Sequence, residues 1–105
     1  MAQQFVNSKL APNKVVVFAK KTCPYCRKAI ELLEELNLKP GHLEIVDLAT
    51  QRDMAAIQDY LLEITGARTV PRVFIGEKCI GGFSELDALH RSGKLKPTLE
   101  KIGAL

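Results

Sequence analysis

The sequence predicts an α/β fold in which one central, four-stranded mixed sheet is flanked by helices. The run VVVFA at Val15–Ala19 is continuously apolar, as expected of a strand buried on both faces. Residues 24–36 carry apolar side chains at helical spacing, and residues 43–46 are predicted to form a second strand that ends at Asp47. A strand, a helix and a strand of these lengths predict a βαβ unit with parallel strands and a right-handed crossover.

A β-hairpin is predicted after Pro71. Residues 72–75 and 78–80 form two short strands separated by Gly76-Glu77, and a two-residue loop containing glycine is a common hairpin turn. Further helices are predicted at residues 2–10, 52–65, 84–92 and 95–102. The helix at 52–65 is expected to turn four apolar side chains toward the core: Met54, Ile57, Leu61 and Ile64. With 105 residues the chain is expected to form a single domain, residues 1–105.

Composition excludes several functional classes. The net charge of +3 suits a small anionic ligand but is too weak to predict nucleic-acid binding. The first ten residues lack the pattern of a secretory signal, and no apolar run approaches the ~18 residues of a membrane span. Three cysteines are too few for a disulfide scaffold and suit a reducing compartment. We therefore expect a cytoplasmic protein that binds neither nucleic acid nor membranes.

The motif CPYC, residues 23–26, lies where the first strand gives way to a helix. Pro24 suits the first helical position, which places Cys23 at the N-cap, where its sulfur can accept amide hydrogens near Tyr25 and Cys26. Cys26 follows one turn later on the same face and is expected to point inward. A CxxC pair beside a βαβ pattern is typical of a redox-active dithiol, with Cys23 as nucleophile and Cys26 as resolving thiol.

Cys23 is expected to be largely thiolate at neutral pH. A free cysteine has a pKa of about 8.5, and each unit of lowering requires about 1.4 kcal/mol of preference for the thiolate. A helix N-terminus supplies about 1 kcal/mol, or ~2 kcal/mol in good geometry. Direct amide hydrogen bonds and nearby cations must contribute the rest. The cations close in sequence are Lys20, Lys21, Arg27 and Lys28.

Half of a zinc site is an alternative interpretation of the CxxC motif. Such a site needs four ligands, and the remaining candidates do not repeat a paired spacing. Those candidates are His42, Cys79 and His90. We interpret Cys79 as a structural cysteine near the hairpin, with a regulatory role left open.

Two further motifs extend the pattern beyond CPYC. TVP occupies residues 69–71 within the run GARTVPRVFIG, and Gly81-Gly82 is followed by Phe83-Ser84. With TCPYCRK, these motifs make residues 2–105 resemble the dithiol glutaredoxins (thioltransferases) of the vertebrate cytosolic type, which have a thioredoxin-like fold. The resemblance implies a glutathione-dependent thiol–disulfide oxidoreductase. Its substrates would be protein–glutathione mixed disulfides, low-molecular-weight disulfides and protein disulfides.

The resemblance also implies a glutathione site, with glutathione as co-substrate, no tightly bound cofactor and no metal. Lys20, Gln58 and Arg68 are expected to hold the glycyl carboxylate, for which arginine offers bidentate geometry. The backbone of Val70, before a cis Pro71, is expected to pair with the cysteinyl part like an added strand. Without the resemblance, Gln58 and Arg68 would be interpreted as surface residues and Val70-Pro71 as a strand entry.

The γ-glutamyl end of glutathione is expected at Gly82 and the helix that follows, whose amides can bind its carboxylate. Ser84 and Glu85 belong to this end, while Thr69 and Tyr25 flank the groove. Glu85 stands where the family usually has aspartate, and its extra methylene is expected to loosen the grip on the ligand's ammonium. Taken alone, Gly82 would mark a turn and Tyr25 an exposed aromatic.

The implied partners are glutathione, glutathionylated or disulfide-containing proteins, and glutathione reductase with NADPH as an indirect electron supply; the protein is expected to act as a monomer. A thioredoxin reduced by a flavoprotein reductase is one alternative, disfavoured by the absence of tryptophan and of a Gly-Pro pair in the motif. A glutathione-ligated iron–sulfur carrier is another. The second cysteine of the motif and Pro24 beside Cys23 disfavour it.

Overall fold

The computed structural model describes residues 1–105 and contains one four-stranded sheet in the order β2-β1-β3-β4. The strands are β1 Val15–Ala19, β2 Leu43–Asp47, β3 Arg72–Ile75 and β4 Lys78–Gly81. β1 pairs in parallel with β2 and antiparallel with β3, and β3 pairs antiparallel with β4. This arrangement confirms the predicted βαβ unit, the hairpin and the mixed sheet.

Five α-helices surround the sheet: α1 Ala2–Lys9, α2 Pro24–Glu35, α3 Met54–Thr65, α4 Phe83–Arg91 and α5 Leu95–Lys101. A short 3-10 helix at Leu48–Thr50 was not predicted from the sequence; there, Asp47 Oδ1 accepts the Ala49 N–H at 3.0 Å. This extra turn delays the start of α3, so Arg52 precedes the helix instead of opening it. None of the helices combines the length and the hydropathy needed to cross a membrane.

Apolar side chains pack on both faces of the sheet. Val15 and Val17 face the cluster formed with α2, α4 and α5, whereas Val16 and Phe18 face the cluster formed with α1 and α3. β1 is therefore buried on both sides, as its apolar run predicted. The prediction for Ile64 was wrong, because its side chain is 42% exposed. The α3 residues buried in this cluster, Ile57 and Leu61, lie earlier in the helix. The last turn of α3, which carries Ile64, extends past the cluster.

Three connections meet at one end of the sheet. The Cys23 side chain at the start of α2 contacts the backbone of Val70 in the loop before β3. Tyr25 in the first turn of α2 stacks on Phe83 at the start of α4. Because the elements that carry these residues are anchored in the core, this end of the sheet has a fixed shape.

Candidate active site

Cys23 occupies the N-cap of α2, as predicted, with extended backbone angles and Pro24 as the first helical residue. Its Sγ accepts the Cys26 N–H at 3.2 Å. Of the amides near Tyr25 and Cys26 that were expected to donate to this sulfur, the Cys26 amide does so. Cys23 is partly buried, Cys26 is buried, and both are free thiols. The helix thus presents one sulfur toward the surface and holds the other beneath it.

Burial raises the pKa of the Cys26 thiol from its ordinary value of 9.0 to about 12. Its hydrogen bond to the Cys23 side chain is the second cause and acts in the same direction. A backbone hydrogen bond and the positive charge of Lys20 oppose the shift. Cys26 is therefore a protonated thiol at neutral pH, as a residue that acts after Cys23 requires. The thiolate character of Cys23 stays a prediction.

The loop before β3 lies directly against the nucleophile. The Val70–Pro71 peptide bond is cis, in agreement with the expectation drawn from the family resemblance. The Cys23 thiol donates a long hydrogen bond of 3.7 Å to Val70 O. From the other side, buried Gln58 donates its Nε2–H to Arg68 O at 3.0 Å and so anchors the loop to α3. The backbone of residues 68–71 is thereby held beside the reactive sulfur.

A groove of about 470 Å³ runs between this loop, the start of α2 and the start of α4. It brings together most of the residues expected to bind glutathione: Tyr25, Thr69, Val70, Pro71, Gly82, Ser84 and Glu85. Two residues that the sequence analysis did not assign to the site, Arg72 and Phe83, complete the lining.

Three of the residues predicted for glutathione lie outside the groove. Lys20 lines a separate hollow beside α2 with Lys21 and Arg27. Arg68 donates to Asp59 Oδ1 at 3.0 Å and to Ala55 O at 3.3 Å, which ties its guanidinium to α3. Gln58 is only 9% exposed, so its interpretation as a surface residue is wrong. Its observed contact is with the loop backbone, because the amide is turned inward.

At the start of α4, the Glu85 side chain folds back on the helix terminus. Glu85 Oε1 accepts the Gly82 N–H at 2.6 Å and Oε2 accepts the Ser84 hydroxyl at 3.0 Å. These hydrogen bonds, with a smaller effect from the charge of Arg72, lower the pKa of Glu85. Gly81 is required beside it, because its φ is 113° and a Cβ would lie 2.5 Å from Glu85 Oε1.

An aromatic pair forms one wall of the groove. The rings of Tyr25 and Phe83 stack with centroids 6.1 Å apart and planes inclined by 28°. Lys28 Nζ lies 5.2 Å from the centre of the tyrosine ring and 6.0 Å from that of the phenylalanine, within range of cation–π attraction. Tyr25 is nevertheless 60% exposed, which leaves much of its ring available to a ligand.

Arg72 is the clearest omission of the sequence analysis. Its signal was present, since an arginine opens a strand that is otherwise apolar, directly after Pro71. Only the structure shows that this charge is buried and lines the groove.

Comparison with known proteins decides the family. The glutaredoxin family model matches residues 15–80. Glutaredoxin-1 of Sus scrofa is 59% identical over 105 residues, covering 100% of this chain and 99% of that protein. The chain is a glutaredoxin. Glutaredoxin-1 of Homo sapiens is likewise 59% identical over 105 residues. A crystal structure of a buckwheat glutaredoxin–glutathione complex superposes with a TM-score of 0.92 at 41% identity, covering 100% of this chain and 93% of that chain.

The predicted dithiol glutaredoxin family and thioredoxin-like fold are thus confirmed. This glutaredoxin is a glutathione-dependent thiol–disulfide oxidoreductase with a CPYC active site, and the thioredoxin alternative is set aside. The structure brings no group of three or more His, Cys, Asp or Glu side chains together in a metal-binding arrangement.

Proposed function

We propose that this glutaredoxin removes glutathione from protein mixed disulfides by a reaction centred on Cys23, with the groove holding the glutathionyl group. The observation that carries the proposal is the position of Cys23 Sγ at the helix N-cap, next to the Val70 backbone that borders the groove. The N-terminus of α2 stabilises a thiolate at this position.

In the first step, the thiolate of Cys23 attacks the glutathionyl sulfur of the mixed disulfide. A Cys23–glutathione disulfide forms, the original disulfide bond breaks, and the substrate protein leaves as a thiolate. In the second step, the thiolate of another glutathione attacks the glutathionyl sulfur on Cys23. Oxidised glutathione leaves and Cys23 returns as a thiolate. Stabilisation of the Cys23 thiolate by the helix N-terminus assists both steps, since the same sulfur is first the attacking group and then the leaving group.

Cys26 acts when the substrate is a protein disulfide. It attacks Cys23 in the mixed disulfide with the substrate protein, closes the Cys23–Cys26 disulfide and releases the second substrate thiol. Two glutathione molecules then reduce the pair. The buried position of Cys26 one turn below Cys23 supports this order, since its raised pKa keeps it protonated until Cys23 has reacted.

Glutathione lies in the groove in an extended form. Its cysteinyl backbone pairs with the N–H and C=O of Val70 beside Pro71, Thr69 flanks it, and its sulfur meets Cys23. The exposed ring of Tyr25 packs over it. This placement uses the β-addition mode, in which an extended peptide acquires hydrogen bonds from an available backbone edge.

The two ends of glutathione carry charge. The glycyl carboxylate is taken by Lys20, Gln58 and Arg68. Gln58 retains its second amide hydrogen and Arg68 its Nη1, since the observed hydrogen bonds use their other donors. The γ-glutamyl carboxylate meets the amides and hydroxyl at Ser84, after the Gly82 cap, and the ammonium meets Glu85.

The wider biochemistry follows from this chemistry. Residues 1–105 act as one glutaredoxin domain, as a monomer, in the cytosol. Glutathione is a co-substrate, no cofactor is held tightly, and glutathione reductase with NADPH returns the oxidised product to glutathione. Glutathionylated or disulfide-containing proteins are the substrates.

The test is glutathione-dependent reduction of a glutathionylated peptide, coupled to NADPH and glutathione reductase. Wild type, Cys23→Ser and Cys26→Ser are compared, with Cys79→Ser as a matched cysteine control outside the dithiol. We expect Cys23→Ser to abolish turnover, while Cys26→Ser retains turnover of the peptide but loses reduction of a protein disulfide. Activity in Cys23→Ser would contradict the assignment of the nucleophile. Turnover of wild type with thioredoxin reductase and not with glutathione would contradict the function.

A further inference from the structure

Arg72 is a buried cation without an ion-pair partner. The residue is 9% exposed and opens β3 between Pro71 and the apolar strand. It takes part in none of the four ion pairs of the chain. Its one hydrogen bond runs from Nε to Pro71 O at 3.2 Å. Burying most of a guanidinium is unfavourable unless its donors are paired, so an acceptor that reaches the remaining donors would be strongly favoured.

The two terminal nitrogens of Arg72 reach the groove. Every fully buried side-chain nitrogen or oxygen in the chain has a hydrogen-bond partner. Since Nη1 and Nη2 have none, they are the part of the side chain that remains accessible, and Arg72 lines the groove. Nη2 lies beside the start of α4, because a Cβ added to Gly82 would come within 3.1 Å of it. The guanidinium fork thus sits next to the helix N-terminus.

We propose that Arg72 is a ligand-binding and specificity-determining residue, which donates its free Nη groups to the γ-glutamyl carboxylate of glutathione. This inference rests on the proposed function and names a further residue of the same site. An arginine fork and a helix N-terminus are each suited to a carboxylate, and here they adjoin. Nε remains on Pro71 O, so carboxylate binding also braces the loop that carries Val70.

Glu85 completes the charge pattern. A Cβ added to Gly82 would lie 3.6 Å from Glu85 Oε1 as well as 3.1 Å from Arg72 Nη2, so both charged groups lie beside Gly82, and the Arg72 charge contributes to lowering the pKa of Glu85. A γ-glutamyl group carries a carboxylate and an ammonium on the same carbon. A cation and an anion adjoining one helix terminus match that pair of opposite charges, whereas a simple monoanion would gain from Arg72 and be repelled by Glu85. The site therefore selects a zwitterionic amino-acid group.

The experiment compares two peptide mixed disulfides, one with glutathione and one with a glutathione whose γ-glutamyl carboxylate is converted to an amide. Each reacts in a single turnover with Cys26→Ser protein, so that the glutathionyl group transferred to Cys23 persists and is counted by mass spectrometry. Arg72→Gln and Arg72→Lys are introduced into this parent. Arg91→Gln is the matched control, because it removes a cation from the exposed face of α4.

We expect Arg72→Gln to slow transfer from the glutathione peptide about 10-fold or more, the equivalent of one charged hydrogen bond. Transfer from the amide peptide should change less than about 2-fold, because the contact is already absent. Arg72→Lys keeps the positive charge but lacks the forked pair of donors. Its rate of transfer from the glutathione peptide should lie between those of the parent and of Arg72→Gln. Equal slowing with both peptides would overturn the inference and assign Arg72 a purely structural role, as would an Arg72→Lys protein that slows both alike. A parent protein that transfers no glutathionyl group would refute the proposed function itself.

Discussion

The protonated state of Cys26 makes the stability of the protein depend on alkaline pH. In the folded protein the Cys26 pKa is about 12, whereas the same thiol in the unfolded chain titrates near its ordinary value of 9.0. Below pH 9 both states hold the proton, and the contribution of this group to stability is fully present. Above pH 9 the unfolded chain releases the proton while the folded protein keeps it. Stability is therefore lost as the pH rises from 9 toward 12.

The size of the loss follows from the shift. Each pH unit in this interval removes about 1.4 kcal/mol, so raising the pH from 7 to 10.5 should destabilise the fold by about 2 kcal/mol through Cys26 alone. Replacing the thiol with a hydroxyl of similar size removes the titrating group. We therefore expect the free energy of unfolding of Cys26→Ser to fall by about 2 kcal/mol less than that of wild type over the same interval.

The assay is urea unfolding of wild type and Cys26→Ser at pH 7 and pH 10.5, in a reductant that keeps all thiols free. All other titratable groups are common to both proteins, so the difference between the two pH-induced losses reports on Cys26 together with its interaction with Cys23. Cys79→Ser, measured in the same way, controls for removing a thiol outside the dithiol. Parallel losses in wild type and Cys26→Ser would refute the reasoning, because burial could then not be holding the proton on Cys26.

Two further predictions concern the loop before β3 and the start of α4. Gln58→Ala removes the hydrogen bond that anchors the Arg68 carbonyl, so we expect the free energy of unfolding to fall by about 1–3 kcal/mol and the KM for glutathione to rise. Gln51→Ala is the control, and unchanged unfolding in Gln58→Ala would contradict the anchoring role. Glu85→Asp shortens the side chain that caps Gly82, which frees the carboxylate for the ligand's ammonium. We expect glutathione affinity, measured as KM under the coupled assay, to improve about 2-fold; unchanged or weaker affinity would count against this prediction.

The elements of the fold were predictable because each carries a local signal. The apolar run of β1, the proline after Cys23 and the glycine in the hairpin each act within a few residues, and all three features were placed correctly. The 3-10 helix at Leu48–Thr50 was missed because one side-chain cap on Asp47 decides it. Ile64 was misassigned because helical spacing gives the direction of a side chain but not where its packing partners end.

The site was predictable where a motif states the chemistry and less so where burial decides it. The N-cap position of Cys23 follows from the sequence alone. The roles of Gln58 and Arg72 do not, because both depend on burial created by residues far along the chain. A polar side chain acquires a defined partner when its desolvation leaves no alternative. The spacing of residues in the sequence does not show whether a polar side chain will be desolvated in the folded protein.

The structure also explains why two cysteines of one motif take different parts in the reaction. Cys23 lies at the helix terminus with an amide donor and the groove before it, while Cys26 is buried one turn below. Two of the causes that raise the Cys26 pKa, the hydrogen bond and the charge of Cys23, depend on the state of Cys23 itself. When Cys23 enters a mixed disulfide its charge disappears, and the barrier to ionising Cys26 is lowered while burial remains. Cys26 is thus activated in part by the step that precedes it, which orders the two cysteines in the reaction of a protein disulfide.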